Sequence, residues 1–463
     1  MRVQHDPELR VAEREKLADD LHEAGRAAEA VAVLAPLVRA NPERISARVL
    51  MAICLADSGH IDPALGMLQD TAARAPECAA AWSNLGMLLK IEGRFDEAVA
   101  AADRAVALQP DHAQLRLNRA VALLRAGRLA EAWPDYEWRL RVRSGPGLPL
   151  ERLLPDIASL GAGNGRTVLV LHEEGFGDTL QFVRYVPLLA QRGFRVVVCV
   201  PRELAALIRT VGGVAELLTP DAAVPDYDFH CPFFSLPRAF ATSLATIPAV
   251  VPYLSPPADR VALWRARISP LPGLRIGLVW AGQARPWLPG FVTLDARRSL
   301  RLDDLAPLGP VPGVSFVSLQ KGGPAAQAAT PPAGLTLLDP MSGVVDFAET
   351  AAIVANLDVV VSVDTSVAHL AGALGKPVFL LDRYDSCWRW LSGRTDSPWY
   401  PGMRIFRQRT PGAWGSVLAE VANELHAWAR ERNGGAIFAP PSLGRKRPGE
   451  GVPHEAIHAV LGE

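Results

Sequence analysis

A chain of 463 residues is too long for one hydrophobic core and calls for two or three domains, all able to be compact because 49% of the residues are hydrophobic. The formal charge is −1, from 48 basic and 49 acidic residues, which leaves no electrostatic reason to expect nucleic acid or an anionic membrane as partner. Five scattered cysteines, Cys54, Cys78, Cys199, Cys231 and Cys387, make no CxxC pair, so neither a disulfide framework nor a structural zinc is indicated, and a reducing cytoplasm is the expected location.

The first residues, MRVQHDPELRVAEREK, are polar where a signal peptide would need an apolar core, and no later segment runs apolar for the roughly 20 residues of a membrane span. A soluble chain is expected. Residues 8–143 then repeat themselves: Pro42, Pro76 and Pro110 are 34 residues apart, and the same interval separates Gly25, Gly59, Gly93 and Gly127, and Ala30, Ala64, Ala98 and Ala132. Each unit reads as helix, glycine turn, helix and proline stop; the glycine tolerates the sharp turn and the alanine lets two helices approach. The third unit, AAAWSNLGMLLKIEGRFDEAVAAADRAVALQP, resembles the tetratricopeptide repeat, with Trp82, Leu85, Gly86, Gly93, Phe95, Ala98, Ala105 and Pro110 at the family's positions. In the fourth unit AWPDYEWRLRVR replaces the proline stop, and Trp133, Tyr136 and Trp138 either dock the array on the next domain or belong to a capping helix. The concave face of such a solenoid is suited to a protein or peptide partner; a rigid spacer or dimerisation arm is the plainer use.

Residues 144–165 are rich in glycine and proline and read as a linker. Beyond them TVLVLHEEGFGDTLQFVRYVPLLAQRGFRVVVCV gives strand, glycine-bearing turn, amphipathic helix and strand, a βαβ unit of a parallel sheet. After a proline-rich crossover, LRIGLVW, VSFVSLQ, LDVVVSV and KPVFLL begin a second series of strands. The expected architecture is a helical solenoid followed by two facing Rossmann-like halves, residues 166–260 and 272–433, with a mobile tail over 434–463.

In such sheets ligands sit beyond the carboxyl ends of the strands, at helix amino-termini. Asp364, Thr365 and Ser366 fall where LDVVVSV gives way to a helix, so free amides, two hydroxyls and a helix dipole converge there in a way that suits a diphosphate, and His369 projects near the same face. Taken alone the cluster reads as an ordinary cap beside a buried histidine. In the other half, HEEGFGDTLQF presents His172, Glu173, Glu174 and Asp178 as proton acceptors, while Gly175 and Gly177 permit a tight turn and close ligand approach; Leu180 breaks the dinucleotide pattern GxGxxG. Asp178 suits a helix cap equally well. Lys321, at the end of SFVSLQKG, and Arg298, in the loop DARRS, are cations that could meet a phosphate or simply face solvent. The aromatic and arginine-rich run 383–408 reads as packing in preference to a nucleobase stack.

With EGFGDTLQFVRYVP, SLQKG and SVDTSVAHLAGALGKPV, the carboxyl-terminal part resembles bacterial heptosyltransferase-like glycosyltransferases of the GT-B fold, in the form fused to tetratricopeptide repeats. The resemblance implies a nucleotide-sugar donor in the second half, an acceptor in the first, and inverting transfer with no metal and no other cofactor. It makes Asp178 the general base, Lys321 a phosphate-binding lysine, and Asp364, Thr365, Ser366 and His369 the donor-phosphate motif. Ser366 stands where those heptosyltransferases usually carry glycine, and AGQARPWLPGFVTLDARRS is a lengthened donor loop; both leave heptose itself open. Repeat-fused O-linked N-acetylglucosamine transferases and flagellin glycosyltransferases share the architecture, which makes a protein acceptor the expectation. The rivals are a non-catalytic scaffold with a degenerate transferase domain, and a transferase for a lipopolysaccharide or small-molecule acceptor.

Overall fold

The computed structural model describes residues 7–142, 147–283 and 291–433. The repeat array comprises α1 (Pro7–Glu23), α2 (Ala27–Ala40), α3 (Ile45–Asp57), α4 (Ile61–Arg74), α5 (Ala79–Ile91), α6 (Phe95–Leu108), α7 (Ala113–Arg125) and α8 (Leu129–Tyr136), paired into four helical hairpins. The four periodic glycines, Gly25, Gly59, Gly93 and Gly127, turn the hairpins at φ of 74°, 85°, 75° and 76°, a region glycine enters without steric penalty. The periodic alanines Ala30, Ala64, Ala98 and Ala132 are fully buried between helices, where a larger side chain would force them apart.

The rest of the chain forms two parallel sheets. The first is ordered β3 (Val214–Leu218), β2 (Arg195–Cys199), β1 (Thr167–Leu171), β4 (Phe229–Pro232); the second is ordered β10 (Met403–Arg407), β9 (Val378–Asp382), β8 (Val359–Val363), β5 (Leu274–Val279), β6 (Val314–Ser318), β7 (Leu337–Leu338). Strand order reverses between β1 and β4 and between β5 and β8, so each sheet opens a crevice at the carboxyl end of β1 or β8. The central strand β8 reads VVVSV and every residue is buried, as a strand covered on both faces requires.

One apolar cluster runs from Val49 in the second repeat through Val168 in the first sheet to Val360 in the second, while the helix Trp414–Asn433 covers the opposite face of the second sheet with Val417, Val421, Leu425 and Trp428. Trp133 and Tyr136 do dock the array: the Trp133 indole donates to the Thr242 carbonyl at 2.7 Å and meets Trp388 edge-on at 5.8 Å, and Tyr136 packs on Phe234 at 5.3 Å. Trp138 instead stacks under Arg141 of its own array.

The single helix expected over TLQFVRYVPLLAQ is broken into a helix Phe176–Phe182, a 3₁₀ turn Val183–Tyr185 and a helix Val186–Gln191. Pro187 has no N–H to continue the ladder across the join. The Gly/Pro-rich stretch before β1 is not loose throughout, since Leu154 and Ile157 are buried and the Leu154 amide pairs with the His230 carbonyl. The expected tail 434–463 and the centre of the lengthened loop, 284–290, lie outside the described residues. Among the described residues no helix is long and apolar enough to cross a membrane.

Candidate active site

Both crevices open into one cavity of about 610 Å³ between the lobes. One wall comes from the turn after β1, with Glu174, Gly175, Gly177 and Asp178; the other comes from the ends of β6 and β8, with Lys321, Asp364, Thr365 and Ser366. Arg298 and His369 also line it, so the structure brings these ten residues to one space.

On the first wall the helix Phe176–Phe182 starts at Gly175, and Asp178, in its first turn, accepts the Gly175 N–H on Oδ2 at 2.9 Å. The capping role weighed for Asp178 is thus real, but it engages one oxygen only. Oδ1 faces Arg389, whose Nη2 donates at 2.5 Å. Burial pushes this carboxyl up to about 6, against the pull of Arg389 and the Gly175 N–H and with help from the negative charges of Glu174 and Asp364. Glu174 sits at φ 65°, a left-handed conformation that strains a non-glycine residue and that fixes the turn at the cavity mouth.

Of the four acceptors read from HEEGFGD, His172 and Glu173 do not serve the cavity. His172 Nδ1 is paired with Thr179 Oγ1 at 2.7 Å, and Glu173 takes Arg139 of the array at 2.7 and 2.9 Å. Gly177 lines the cavity and also meets the other lobe. A Cβ there would meet His369 Cδ2 at 2.8 Å, so its missing side chain serves the contact between the two lobes.

The second wall is a helix start without a side-chain cap. Thr365 stands at the N-cap of the helix Ser366–Ala373 in an extended conformation, φ −137° and ψ 170°, and its hydroxyl is turned back to Ser362 Oγ at 3.1 Å. The first amides of a helix have no partner within it, an arrangement that suits an anion. Arg298 braces the turn from outside, donating to the Asp364 carbonyl at 3.1 Å while Asp295 holds its other edge at 2.8 and 2.9 Å. Arg298 ends the helix Phe291–Arg298, so the loop expected for DARRS is in part helical. Lys321 donates to the carbonyls of Met341 (2.9 Å) and Val344, which fixes the ammonium at the end of β6 with a third donor remaining.

His369 is the residue whose surroundings depart most from the sequence reading. Its ring is stacked on Trp390 at 5.3 Å and its Nδ1 shares a hydrogen bond with Tyr400 at 2.9 Å. Burial, with Arg389 and Arg184 nearby, pushes its pKa down to about 3, so the ring is neutral at physiological pH and brings no charge to a phosphate. Trp388, Trp390, Trp399 and Tyr400 are all buried, as the packing reading of that run expects.

Arg389 and Tyr136 are among the cavity residues that escaped the sequence reading. Arg389 lies 211 residues from its partner Asp178, and no local pattern links them. Tyr136 belongs to the last repeat helix yet lines the cavity, so the array supplies part of the wall.

Comparison with known proteins agrees with this layout. Residues 21–88 and 92–149 match models described as tetratricopeptide repeat, and residues 335–387, which include the turn at Asp364 to His369, match the model of glycosyltransferase family 9 (heptosyltransferase). Protein FlbA of Caulobacter vibrioides is 28% identical over 337 residues, 66% of this chain and 54% of FlbA, so the chain spans about half the length of that relative. Among solved structures, a thermophilic TPR protein of Thermus thermophilus is 20% identical over 29% of this chain and 76% of its own, with a TM-score of 0.28. MamA protein is 20% identical over 28% and 72%, with a TM-score of 0.26. The chain therefore carries tetratricopeptide repeats in its amino-terminal region and, in its carboxyl-terminal half, a segment that matches glycosyltransferase family 9.

Proposed function

We propose that the protein is an inverting glycosyltransferase that moves a sugar from a nucleotide-diphosphate donor to a hydroxyl of a protein acceptor guided by the repeats. The observation that carries this reading is the single cavity in which a carboxylate of one lobe faces an uncapped helix start of the other. Asp178 takes the acceptor proton as the hydroxyl attacks the anomeric carbon, the bond to the donor phosphate breaks, and positive charge develops on the sugar ring. A base with a pKa of about 6 is ionised at neutral pH and still basic enough to accept a proton.

The departing diphosphate is received by the amides at Ser366 and by the charges of Lys321 and Arg298. Donors fixed in place before reaction are each worth about 2–4 kcal/mol in a dry site. In this account the chain's own cations meet the leaving group, and no metal ion is needed. Support for the acceptor half comes from Tyr136, which places the last repeat in the wall beside Asp178. A protein passing along the array would arrive at the base.

Labelled nucleotide sugars, supplied one at a time with the protein and a lysate of its host, identify the donor and the labelled acceptor. Asp178→Ala is expected to lose transfer by a factor of about 10²–10⁴ while calorimetry shows donor binding unchanged. Full transfer by that variant removes Asp178 as base, and binding without turnover in the presence of the acceptor turns the reading into that of a ligand-binding scaffold.

A further inference from the structure

We infer that Arg389 is the positioning residue for Asp178: it fixes the direction of the carboxylate and holds it as an anion for proton removal. The inference rests on the transferase reading above, in which Asp178 is the base.

Each Asp178 oxygen has a distinct partner, the Gly175 N–H on Oδ2 and Arg389 Nη2 on Oδ1, so the carboxylate cannot rotate without losing one of them. Arg389 is itself held from several sides. Its Nε donates to Gln181 Oε1 at 2.6 Å and its Nη1 to Cys387 Sγ at 3.2 Å. The guanidinium lies 4.6 Å from the Trp388 ring and 5.2 Å from the Phe234 ring, and only 8% of the residue is exposed. Trp388 abuts Trp133 of the last repeat helix, so the residue that orients the base stands on the docking seam of the array.

Among the described residues, the other groups that act on Asp178 leave Arg389 as its countercharge. Glu174 from its own turn and Asp364 from the opposite lobe are acids, and both push the carboxyl toward its protonated form. Tyr136 from the array is a phenol held neutral by burial, and His369 from the facing helix is an uncharged imidazole. Without Arg389 a buried carboxyl would face two acids, and its proton would be held to higher pH. The opposite role is also a definite one. If the ion pair were a lock on the base, its removal would raise turnover.

Infrared difference titration of full-length protein labelled with carboxyl-¹³C aspartate reads Asp178 directly, by subtracting the Asp178→Asn spectrum from the wild type and the double-variant spectrum from Arg389→Gln. The midpoint is expected to rise by about one pH unit or more in Arg389→Gln and to stay near the wild-type value in Arg389→Lys. An unmoved or lowered midpoint overturns the inference, as does faster transfer by Arg389→Gln at neutral pH. Arg389→Met, which keeps much of the stem and lacks the charge, gives the same answer if the glutamine variant does not fold. The titration uses no substrate, so the two readings fail separately. A shifted midpoint with no sugar transferred by the wild type removes the transferase alone, and transfer with an acidic limb that stays in place in Arg389→Gln removes the role of Arg389 alone.

Discussion

Two strand–turn–helix joints meet across the cavity, and their helix starts are finished in opposite ways. At Phe176 the start is closed from within, because Asp178 turns its carboxylate back onto the Gly175 N–H at 2.9 Å. At Ser366 the N-cap hydroxyl of Thr365 points away to Ser362, and among the described residues no side-chain hydrogen bond caps the helix. A carboxylate at the first turn lowers the positive potential of a helix end, whereas an uncapped end keeps it. The difference fits the proposed roles: the closed joint carries the proposed base, and the open one offers its amides to an anion.

The strongest test of this assignment is acid. Burial pushes Asp178 up to about 6, so lowering the pH below that value should protonate the proposed base and remove it from the reaction. log kcat/KM is expected to fall by about one per pH unit below the midpoint, about 100-fold by pH 4, and to be flat from pH 7 upward as far as this group is concerned. Asp178→Asn, measured over the same range, should be slow and show no such limb. A limb that persists in that variant belongs to another group, and the closed joint then has no proton role.

Lys321 probes the open side. Lys321→Ala is expected to lower kcat by about 10²–10³-fold, the loss typical of one donor aimed at developing charge. Its ammonium also ties down the Met341 and Val344 carbonyls, so part of the change will be structural. A thermal melt separates the two contributions. A variant that melts lower but transfers at the wild-type rate leaves Lys321 as a brace only.

How far the sequence reaches differs between these regions for a physical reason. The repeats are local: Gly93, Ala98 and Pro110 each act on a hairpin of neighbouring residues, so a fixed 34-residue spacing betrays them. The strands LDVVVSV and LRIGLVW are legible because a doubly covered strand must be apolar throughout. The turn at Asp364 is legible from its place, since polar residues between a covered strand and a helix mark the carboxyl edge of the sheet. What crosses between lobes leaves no such mark. The pairing of Arg389 with Asp178, the seat of His369 against Gly177, and Tyr136 in the wall are each made by tertiary contact between distant segments. Pattern offers Gly177 as a small residue that lets a ligand approach, and only the fold shows that the imidazole of the other lobe also needs its smallness.

The smallest effect is also the most direct test of the open joint. Ser366 is the first residue of its helix and follows Thr365, whose extended φ of −137° and ψ of 170° is the conformation a residue before proline adopts. Proline at a first helical position is tolerated because that N–H has no partner within the helix. Ser366→Pro therefore deletes the amide proposed to face the donor phosphate, together with the serine hydroxyl, and leaves the helix standing. One charge-assisted hydrogen bond is worth about 1.5–3 kcal/mol, so donor Kd is expected to rise at least tenfold, with Ser366→Ala as the control for the hydroxyl alone. If proline and alanine weaken donor binding equally, the amide holds no anion, and the contrast between the two helix starts is one of capping without consequence for the ligand.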